Sequence, residues 1–256
     1  ASTDAKQQPW LSLLVGSPGF IKIPTTQKVI FDAELISSTR TDVLYKNILA
    51  NPELGMLFIK HEDRARFRVN GTARTDGSKI TVQVQEAYGN CPQYIQTTKL
   101  SLPQESTPLA PGTATGQRLG TEHKSWIQKA DTFYVATRSP KGRMDASHRG
   151  GTPGFVEILE DGTLRIPDYP GNSMFNTLGN IHAHPRTGLL FVDFEKGETL
   201  QLTGKGKLQF DQISEDDLRK TGATGRFWTF STEQWIHTKN QHRVDWEFLE
   251  YSPFNP

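Results

Sequence analysis

Arg149 and the pair Asn172 and Ser173 are the first residues in this sequence whose types and spacing suggest chemistry. Asn172 or Ser173 follows the turn-forming Pro170 and Gly171, and either can cap a helix running to about residue 180. The first amides of a helix have no partner within it, and the helix dipole favours an anion there. Arg149 could add a bidentate cation to the same anion. The pattern predicts a phosphate site, although the same residues also fit a plain helix cap beside a solvated arginine.

Turn signals and hydrophobic runs predict the elements that position these residues. Two β-rich runs, 155–159 and 163–166, flank the triplet Glu160, Asp161 and Gly162, which predicts a β-hairpin. Short strands with turn signals and few helices indicate small antiparallel barrels. Strands are expected at 10–15, 28–35, 55–60, 65–73, 79–85, 132–137, 188–194 and 198–204, and helices at 121–130 and, capped by Ser214, at 215–220.

The sequence contains an internal repeat. Residues 16–23 read GSPGFIKI, and residues 151–158 read GTPGFVEI. Residues 47–59 (NILANPELGMLFI) share Asn, Ile, Ala, Pro, Gly, Leu and Phe in register with residues 180–192 (NIHAHPRTGLLFV). The spacing to a later glycine is also kept, at Gly71 and Gly204. Matches at three places in one order indicate that a single β-rich unit has been duplicated.

The repeat divides the chain into two copies. The first copy is expected at 1–102, with a strand and a preceding helix missing from its start. A linker rich in Pro, Ser, Thr and Gly is expected at 103–117, and the second copy at 118–256. Two homologous barrels in one chain should pack as an internal pseudo-dimer around a quasi-two-fold axis.

Composition narrows the classes of protein that fit. A formal net charge of +1 gives no electrostatic case for nucleic-acid binding. No apolar run approaches the roughly 20 residues of a membrane helix. The single cysteine, Cys91, rules out an internal disulfide and fits a reducing, cytoplasmic location. Cys91 is expected to be structural, and His182 and His184 are expected to be surface residues, because nothing nearby completes a metal-ligand set.

Several motifs together resemble one known family. They are WIQKADTF at 126–133, DASHRGGTPGF at 145–155, IPDYPGN at 166–172, NTLGN at 176–180 and GLLFVDF at 188–194. They resemble the pyridoxamine 5'-phosphate oxidase-like family of FMN-binding split barrels, in its tandem two-barrel form. The resemblance implies a mainly β fold with minor α, built from two tandem split barrels. It also implies FMN at the seam between the barrels, held by Ser147, His148, Arg149, Gly150, Asp168, Tyr169, Asn172 and Ser173.

The two copies differ at the residues that the resemblance assigns to the phosphate. Aligning the repeats places Ser12 opposite Ser147, and Leu14 opposite Arg149. Arg40 falls opposite Ser173 and could compensate for the lost arginine. These substitutions predict one good flavin site and one degenerate site.

Two functions fit the resemblance. The first is a flavoenzyme that passes electrons between FMN and a small organic substrate. The second is a flavin-binding or electron-transfer module that docks a reductase. The expected partners are therefore a flavin nucleotide, with NAD(P)H or a reductase, and neither nucleic acid nor a membrane. The chain is expected to be a monomer with an internal pseudo-dimer, or a homodimer.

Overall fold

The computed structural model describes residues 1–103 and 110–256, so residues 104–109 of the predicted linker lie outside the described residues. Four α-helices and 17 strands occur within these two ranges. The helices are α1 (Val43–Ala50), α2 (Thr121–Lys129), α3 (Asn176–Ala183) and α4 (Glu215–Lys220). The strands of the first half are β1 (Ser2–Thr3), β2 (Pro9–Trp10), β3 (Ile21–Thr25), β4 (Lys28–Asp32), β5 (Glu53–Lys60), β6 (Ala65–Thr75), β7 (Lys79–Gly89) and β8 (Thr97–Ser101). Those that follow are β9 (Gly112–Gly116), β10 (Thr132–Arg138), β11 (Met144–Gly150), β12 (Glu157–Ile158), β13 (Leu164–Pro167), β14 (Arg186–Asp193), β15 (Glu198–Gln209), β16 (Phe227–Lys239) and β17 (Asp245–Glu250).

The fold is mainly β, as predicted, and its two halves share one antiparallel topology. The first sheet has the strand order β3-β4-β7-β6-β5, with α1 between β4 and β5. The second has the order β12-β13-β16-β15-β14, with α3 between β13 and β14, and it continues into β10 and β11. These five strands and one helix thus follow the same order in both halves, as a duplicated split barrel requires, and the second half adds α4 between β15 and β16.

A β-bulge at the same place in each half supports the duplication. The register shifts directly before Gly71 in the pairing of β6 with β7, and directly before Gly204 in the pairing of β15 with β16. A Cβ atom on Gly71 would lie 2.1 Å from the carbonyl oxygen of Gln83. A Cβ atom on Gly204 would lie 2.0 Å from the carbonyl oxygen of Ser231. Both positions therefore need glycine, because the neighbouring backbone comes too close for any side chain.

The two halves pack against each other reciprocally. A Cβ atom on Gly55 in β5 would lie 2.8 Å from the backbone nitrogen of Asp145 in β11. The matching Gly188 in β14 approaches β2, where a Cβ atom would lie 2.5 Å from the carbonyl oxygen of Pro9. In addition, β8 and β17 pair with Lys99 opposite Glu247. A glycine of each half thus packs against the backbone of the other half, which is the arrangement of an internal pseudo-dimer.

The hairpin of β12 and β13, helix α2 and helix α4 with its Ser214 cap form as predicted. Three local predictions were wrong. The strand expected at 10–15 is confined to β2, and the chain beyond Trp10 follows the seam between the barrels without forming a ladder. Residues 33–35 form a 3₁₀ turn, because the Asp32 side chain accepts from the Glu34 amide. Residues 112–116, assigned to the linker, form β9, which pairs with β16.

Each barrel has its own apolar core. The second core is built around Phe133, Phe191 and Trp228, whose side chains are fully buried, and α2 and α3 cover it. The first core contains Phe31, Ile80 and their neighbours under α1. No helix in the described ranges is long and apolar enough to cross a lipid bilayer.

Candidate anion-binding site

A cleft at the seam between the two barrels collects all the residues that the sequence proposes for the site. β11 contributes four of them, and the segment between β13 and α3 contributes the others. Arg149 and Asn172 therefore line the same cleft, and their part in holding a phosphate stays a prediction. The cleft has a volume of about 110 Å³ and is open to solvent. The predicted residues that line it are Ser147, His148, Arg149, Gly150, Asp168, Tyr169, Asn172 and Ser173.

Three arginines from two barrels meet in this cleft. Arg149 comes from β11 of the second barrel, whereas Arg66 and Arg68 come from β6 of the first barrel. The Arg68 guanidinium donates to the Ser147 hydroxyl over 2.9 Å and forms an ion pair of 3.2 Å with Asp145. Burial and the proximity of Arg149 and Arg68 lower the pKa of Arg66 to about 10. Three cations held this close repel one another, so the cleft favours a bound anion.

The arginines also hold unused hydrogen-bond donors. The Nε atoms of Arg66, Arg68 and Arg149 are buried and have no hydrogen-bond partner among the described residues. A buried donor without a partner costs free energy, about 1–3 kcal/mol and more for a charged group. An anion with several acceptor oxygens would satisfy these donors. The donor set therefore fits a phosphate group.

His148 lies beneath Arg66 and is neutral at physiological pH. It is only 2% exposed, and its Nδ1 atom is 3.2 Å from an Arg66 guanidinium nitrogen. Burial, followed by the charge of Arg66, holds the pKa of His148 well below its ordinary value. Since the arginine can only donate, Nδ1 accepts and the imidazole proton lies on Nε2. His148 thus orients Arg66 and does not add a fourth cation to the cleft.

The prediction that Asn172 or Ser173 caps the following helix was wrong. Helix α3 begins at Asn176, and its first turn has no side-chain cap. Ser173 and Phe175 have φ angles of 57° and 50°, in the left-handed region that interrupts a helical path. Asn172 instead stabilises the turn, since its Oδ1 atom accepts from the Met174 amide over 3.2 Å.

The start of helix α3 nevertheless reaches the cleft. Asn176, Thr177 and Leu178, its first three residues, line the cleft, and the Thr177 hydroxyl lies 2.9 Å from that of Ser147. The first amides of a helix have no partner within it, and the helix dipole favours an anion at this end. The helix-start argument therefore applies two or three residues later than the sequence suggested.

Loops from both barrels cross the cleft. The Tyr94 hydroxyl donates to the carbonyl oxygen of Pro170 over 2.6 Å, and the rings of Tyr94 and Tyr169 lie 5.0 Å apart. Gly150 allows this crossing, because a Cβ atom there would lie 1.9 Å from the carbonyl oxygen of Tyr94. Asp168 is occupied by a 2.9 Å ion pair with Arg226. The first barrel therefore contributes this crossing loop, as well as the β6 arginines, to a site whose remaining walls belong to the second barrel.

The pseudo-equivalent position in the other half is filled by the protein itself. Gln201 stands where the repeat places Arg68, and it donates to the Ser12 hydroxyl over 3.4 Å. Gln201 also donates to the buried carboxylate of Asp42, which in addition accepts from Ser12. Arg40, which the sequence suggested as a substitute cation, donates to the Ala33 carbonyl oxygen. In this half a buried carboxylate thus lies against Ser12 and Gln201, the counterparts of Ser147 and Arg68.

Sequence reasoning missed Arg66 and Arg68. Both are polar residues at alternate positions of a strand, and Asn70 continues the series on the same face. Cations on an inward face of a central strand are unusual enough to signal a site. The pattern could not tell, however, that this face turns toward the second barrel. Of the other candidates, Cys91 is partly buried and lines the cleft, whereas His182 is exposed on α3.

Comparison with known proteins gives one family for the second half of the chain. The family model for pyridoxamine 5'-phosphate oxidase matches residues 119–245. No curated protein matches the sequence significantly.

Several solved structures are similar to about half of the chain. The Group A Streptococcus protein HupZ is 14% identical, with 52% of this chain and 98% of that one covered and a TM-score of 0.37. A Clostridium acetobutylicum protein described as related to general stress protein 26, of the pyridoxinephosphate oxidase family, is 13% identical. It covers 50% of this chain and 92% of its own, with a TM-score of 0.35. HutZ, the heme storage protein of Vibrio cholerae, is 15% identical over 49% of this chain and 97% of its own, with a TM-score of 0.35.

Proposed function

We propose that this chain, which belongs through residues 119–245 to the pyridoxamine 5'-phosphate oxidase family, binds FMN by its phosphate and works as an oxidoreductase on a small organic substrate. The observation that carries the proposal is the set of three arginines with unsatisfied buried Nε donors in one cleft. These donors, with the Ser147 hydroxyl and the amides at the start of α3, would hold the phosphate.

The charge of the cleft supports a phosphate monoester. Four guanidinium groups against two carboxylates leave two net positive charges, which a monoester with about −1.5 to −2 at pH 7 would balance. His148 adds no charge because burial keeps it neutral. The groups counted line the cleft or pair with residues that line it: Arg66, Arg68, Arg149, Arg226, Asp145 and Asp168.

The protein's own part in the chemistry would be binding and orientation. When bound, FMN supplies the electron-transfer chemistry. Arg68 would be fixed by Asp145 and Ser147 before the phosphate arrives, so little ordering cost would remain on binding. Tyr94 and Tyr169 would exclude water from one side of the cleft.

The other half should bind no second flavin. Asp42 places a carboxylate against Ser12 and Gln201, where the functional half has cations, and Leu14 replaces Arg149. A phosphate there would face a buried negative charge. The expected stoichiometry is therefore one FMN per chain.

One observation favours a second function, that of an electron-transfer module. The cleft, at about 110 Å³, is smaller than the roughly 300–1,000 Å³ of typical small-molecule pockets, so much of a bound flavin would remain accessible. An accessible flavin edge suits electron exchange with a docked reductase. In this second function the same arginines would hold the same phosphate.

Absorption and reduction measurements test the proposal. The purified protein, titrated with FMN and freed of excess ligand, should keep a flavin spectrum at one equivalent per chain. Anaerobic addition of NADH or NADPH should then bleach the flavin without any other protein. Bleaching only after a flavin reductase is added would favour the electron-transfer function. Failure to retain FMN at all would refute both functions.

A further inference from the structure

A second cavity lies apart from the cleft that holds the arginines. Its volume is about 400 Å³, within the roughly 300–1,000 Å³ of typical small-molecule sites. Its walls come mainly from α2 and the start of β10, from the turn between β14 and β15, and from the ribbon of β8 and β17. Among the described residues, none lines both this cavity and the arginine cleft. A ligand bound here would therefore be distinct from a flavin held by its phosphate.

The second cavity is acidic. Its carboxylates are Glu122, Asp131, Asp193, Glu195 and Glu198, and its lysines are Lys129 and Lys196. Asp193 is paired with Lys196 over 3.2 Å, and Glu198 lies 2.8 Å from His237. His61, also in the wall, is only 6% exposed, and burial lowers its pKa, so that it adds no positive charge at pH 7. The remaining carboxylates outnumber the remaining lysine, so the second cavity favours a cation where the first cleft favours an anion.

Asp131 is the partly buried carboxylate that lacks a partner. It lies just after α2, and it forms no ion pair with any residue in the two described ranges. Burial raises its pKa, and a hydrogen bond with the Thr132 side chain offsets this only in part. Gln96, which is 1% exposed, donates to the backbone carbonyl oxygen of Asp131 over 3.3 Å and so fixes this position. A bound cation would supply the charge partner that the carboxylate lacks.

A buried hydroxyl in the wall also lacks a partner. Thr98 in β8 is 6% exposed, and its Oγ1 atom makes no hydrogen bond within the described parts of the chain. A buried polar group without a partner costs free energy, so this hydroxyl indicates a ligand that can bond to it. An ammonium group carries three donors, which is enough for a carboxylate and a hydroxyl together.

Aromatic rings form much of the remaining wall. They belong to Trp126 on α2, Phe194 in the turn after β14, and Trp246 on β17. Trp246 lies on the same face of its ribbon as Thr98, because it pairs with Leu100, two residues further along β8. A cation is attracted to the face of an aromatic ring, most strongly to tryptophan. The rings also offer a surface on which an aromatic ligand can pack.

We propose that the second cavity is a binding site for an organic amine, with a protonated ammonium group carried on an aromatic body. The ammonium group pairs with Asp131 and donates to the Thr98 hydroxyl, and the aromatic body packs against the tryptophans. No three potential metal ligands converge within the described ranges, so the cavity suits an organic cation better than a metal ion. The inference does not depend on flavin binding, because the two sites have separate walls.

Calorimetric titration of the full chain with two small probes tests the proposal. Tryptamine carries the ammonium group on an indole, and tryptophol is a neutral analogue with a hydroxyl group in its place. Tryptamine should bind saturably at one equivalent per chain, and tryptophol at least roughly tenfold more weakly, because only tryptamine can pair with the carboxylate. Saturating FMN should leave the affinity for tryptamine unchanged.

Two variants locate the amine within the protein. Asp131→Asn keeps the shape of the side chain and removes its charge, so it should weaken tryptamine binding at least roughly tenfold and leave tryptophol binding unchanged. Trp246→Ala should weaken the binding of both probes roughly fivefold, because it removes the ring on which either indole packs. Glu247→Gln is the control: Glu247 lies on the other face of β17, opposite Lys99, and this variant should bind tryptamine as the wild type does.

The thermal unfolding midpoint of each variant should match that of the wild type, since Asp131→Asn is nearly isosteric and Trp246 is 37% exposed. Tryptamine that fails to bind, or binds no more tightly than tryptophol, would overturn the proposal. Wild-type affinity in both Asp131→Asn and Trp246→Ala would overturn it as well. So would competition between tryptamine and FMN, which would place the amine in the arginine cleft, or equal weakening by Glu247→Gln, which would show that general surface charge attracts the amine.

Discussion

Arg68 of the first barrel donates a 2.9 Å hydrogen bond to the hydroxyl of Ser147 in the second barrel. The pseudo-equivalent pair in the other half is Gln201 and Ser12, 3.4 Å apart, with Asp42 beside them. The same framework thus presents a guanidinium in one half and a neutral amide with a carboxylate in the other. The two pseudo-equivalent positions at the seam share their topology and differ in charge. This charge difference decides which of the two positions suits an anion.

Replacing Arg68 by glutamine recreates the residue of the degenerate half. Loss of a hydrogen bond to a charged group, about 1.5–3 kcal/mol, should weaken FMN binding by roughly tenfold to a hundredfold. Riboflavin, which lacks the phosphate, should bind wild type and variant alike. Fluorescence quenching measures both affinities. Arg74→Gln, on the exposed part of the same strand, is the control and should bind FMN as the wild type does.

Arg149→Leu recreates Leu14 of the other half. We expect it too to weaken FMN binding by roughly tenfold to a hundredfold, because it removes a partly buried guanidinium with an unpaired Nε donor. Ser173→Ala should cost less, since Ser173 is exposed and does not cap α3. Calorimetric titration of both variants gives the comparison. Wild-type affinity in Arg149→Leu would mean that Arg66 and Arg68 hold the phosphate without it.

The seam between the barrels is expected to be sensitive at its two glycines. Gly55→Ala and Gly188→Ala each push a methyl group to within 2.8 Å of the opposing backbone, so each should lower the free energy of unfolding by about 1–3 kcal/mol. Gly179→Ala in α3, where no atom lies within 4 Å, should instead stabilise by up to about 1 kcal/mol. Urea denaturation compares the three. Full stability of both seam variants would contradict the close packing described for the pseudo-dimer.

Acid sensitivity is expected from His242. It is 2% exposed, neither ring nitrogen has a partner among the described residues, and burial lowers its pKa to about 4. The unfolded chain, with a histidine pKa near 6.5, therefore binds more protons between pH 6.5 and pH 4. Stability should fall by about 3 kcal/mol as the pH drops through this window.

The variant His242→Leu isolates this contribution. Its free energy of unfolding should change less between pH 7 and pH 4 than that of the wild type, as measured by denaturation at several pH values. His182→Gln, at an exposed position on α3, is the control and should keep the wild-type slope. An unchanged slope in His242→Leu would show that other buried histidines, such as His148, account for the acid sensitivity.

Much of the fold could be predicted because its signals are local. The Asp161 and Gly162 hairpin, the Ser214 cap and the repeated Gly-x-Pro-Gly-Phe motif specify turns and helix starts from neighbouring residues. The start of α3 could not be predicted in this way, since two left-handed residues, Ser173 and Phe175, displace it from an otherwise good capping sequence. Strand β9 was missed because its sequence, GTATG, becomes a strand only by pairing with β16.

Only the part of the candidate site that depends on local signals could be predicted. Ser147, Arg149 and the turn before α3 lie close together in sequence and carry recognisable motifs. Arg66 and Arg68 reach the cleft only because the two halves pack against each other, and their distance in sequence from Arg149 hides that contact. Charged residues at alternate positions of a central strand were the available signal. Nothing in the neighbouring sequence indicated which residues of the second half these arginines would contact.

The central claim is that the arginine cleft holds a flavin by its phosphate. The most direct measurement is a pair of calorimetric titrations of the wild-type protein, one with FMN and one with riboflavin, under the same buffer and salt. FMN should bind at one equivalent per chain and at least roughly tenfold more tightly than riboflavin, because only FMN carries the group that the arginines can pair. Equal affinities for the two flavins, or no binding of FMN, would contradict the account.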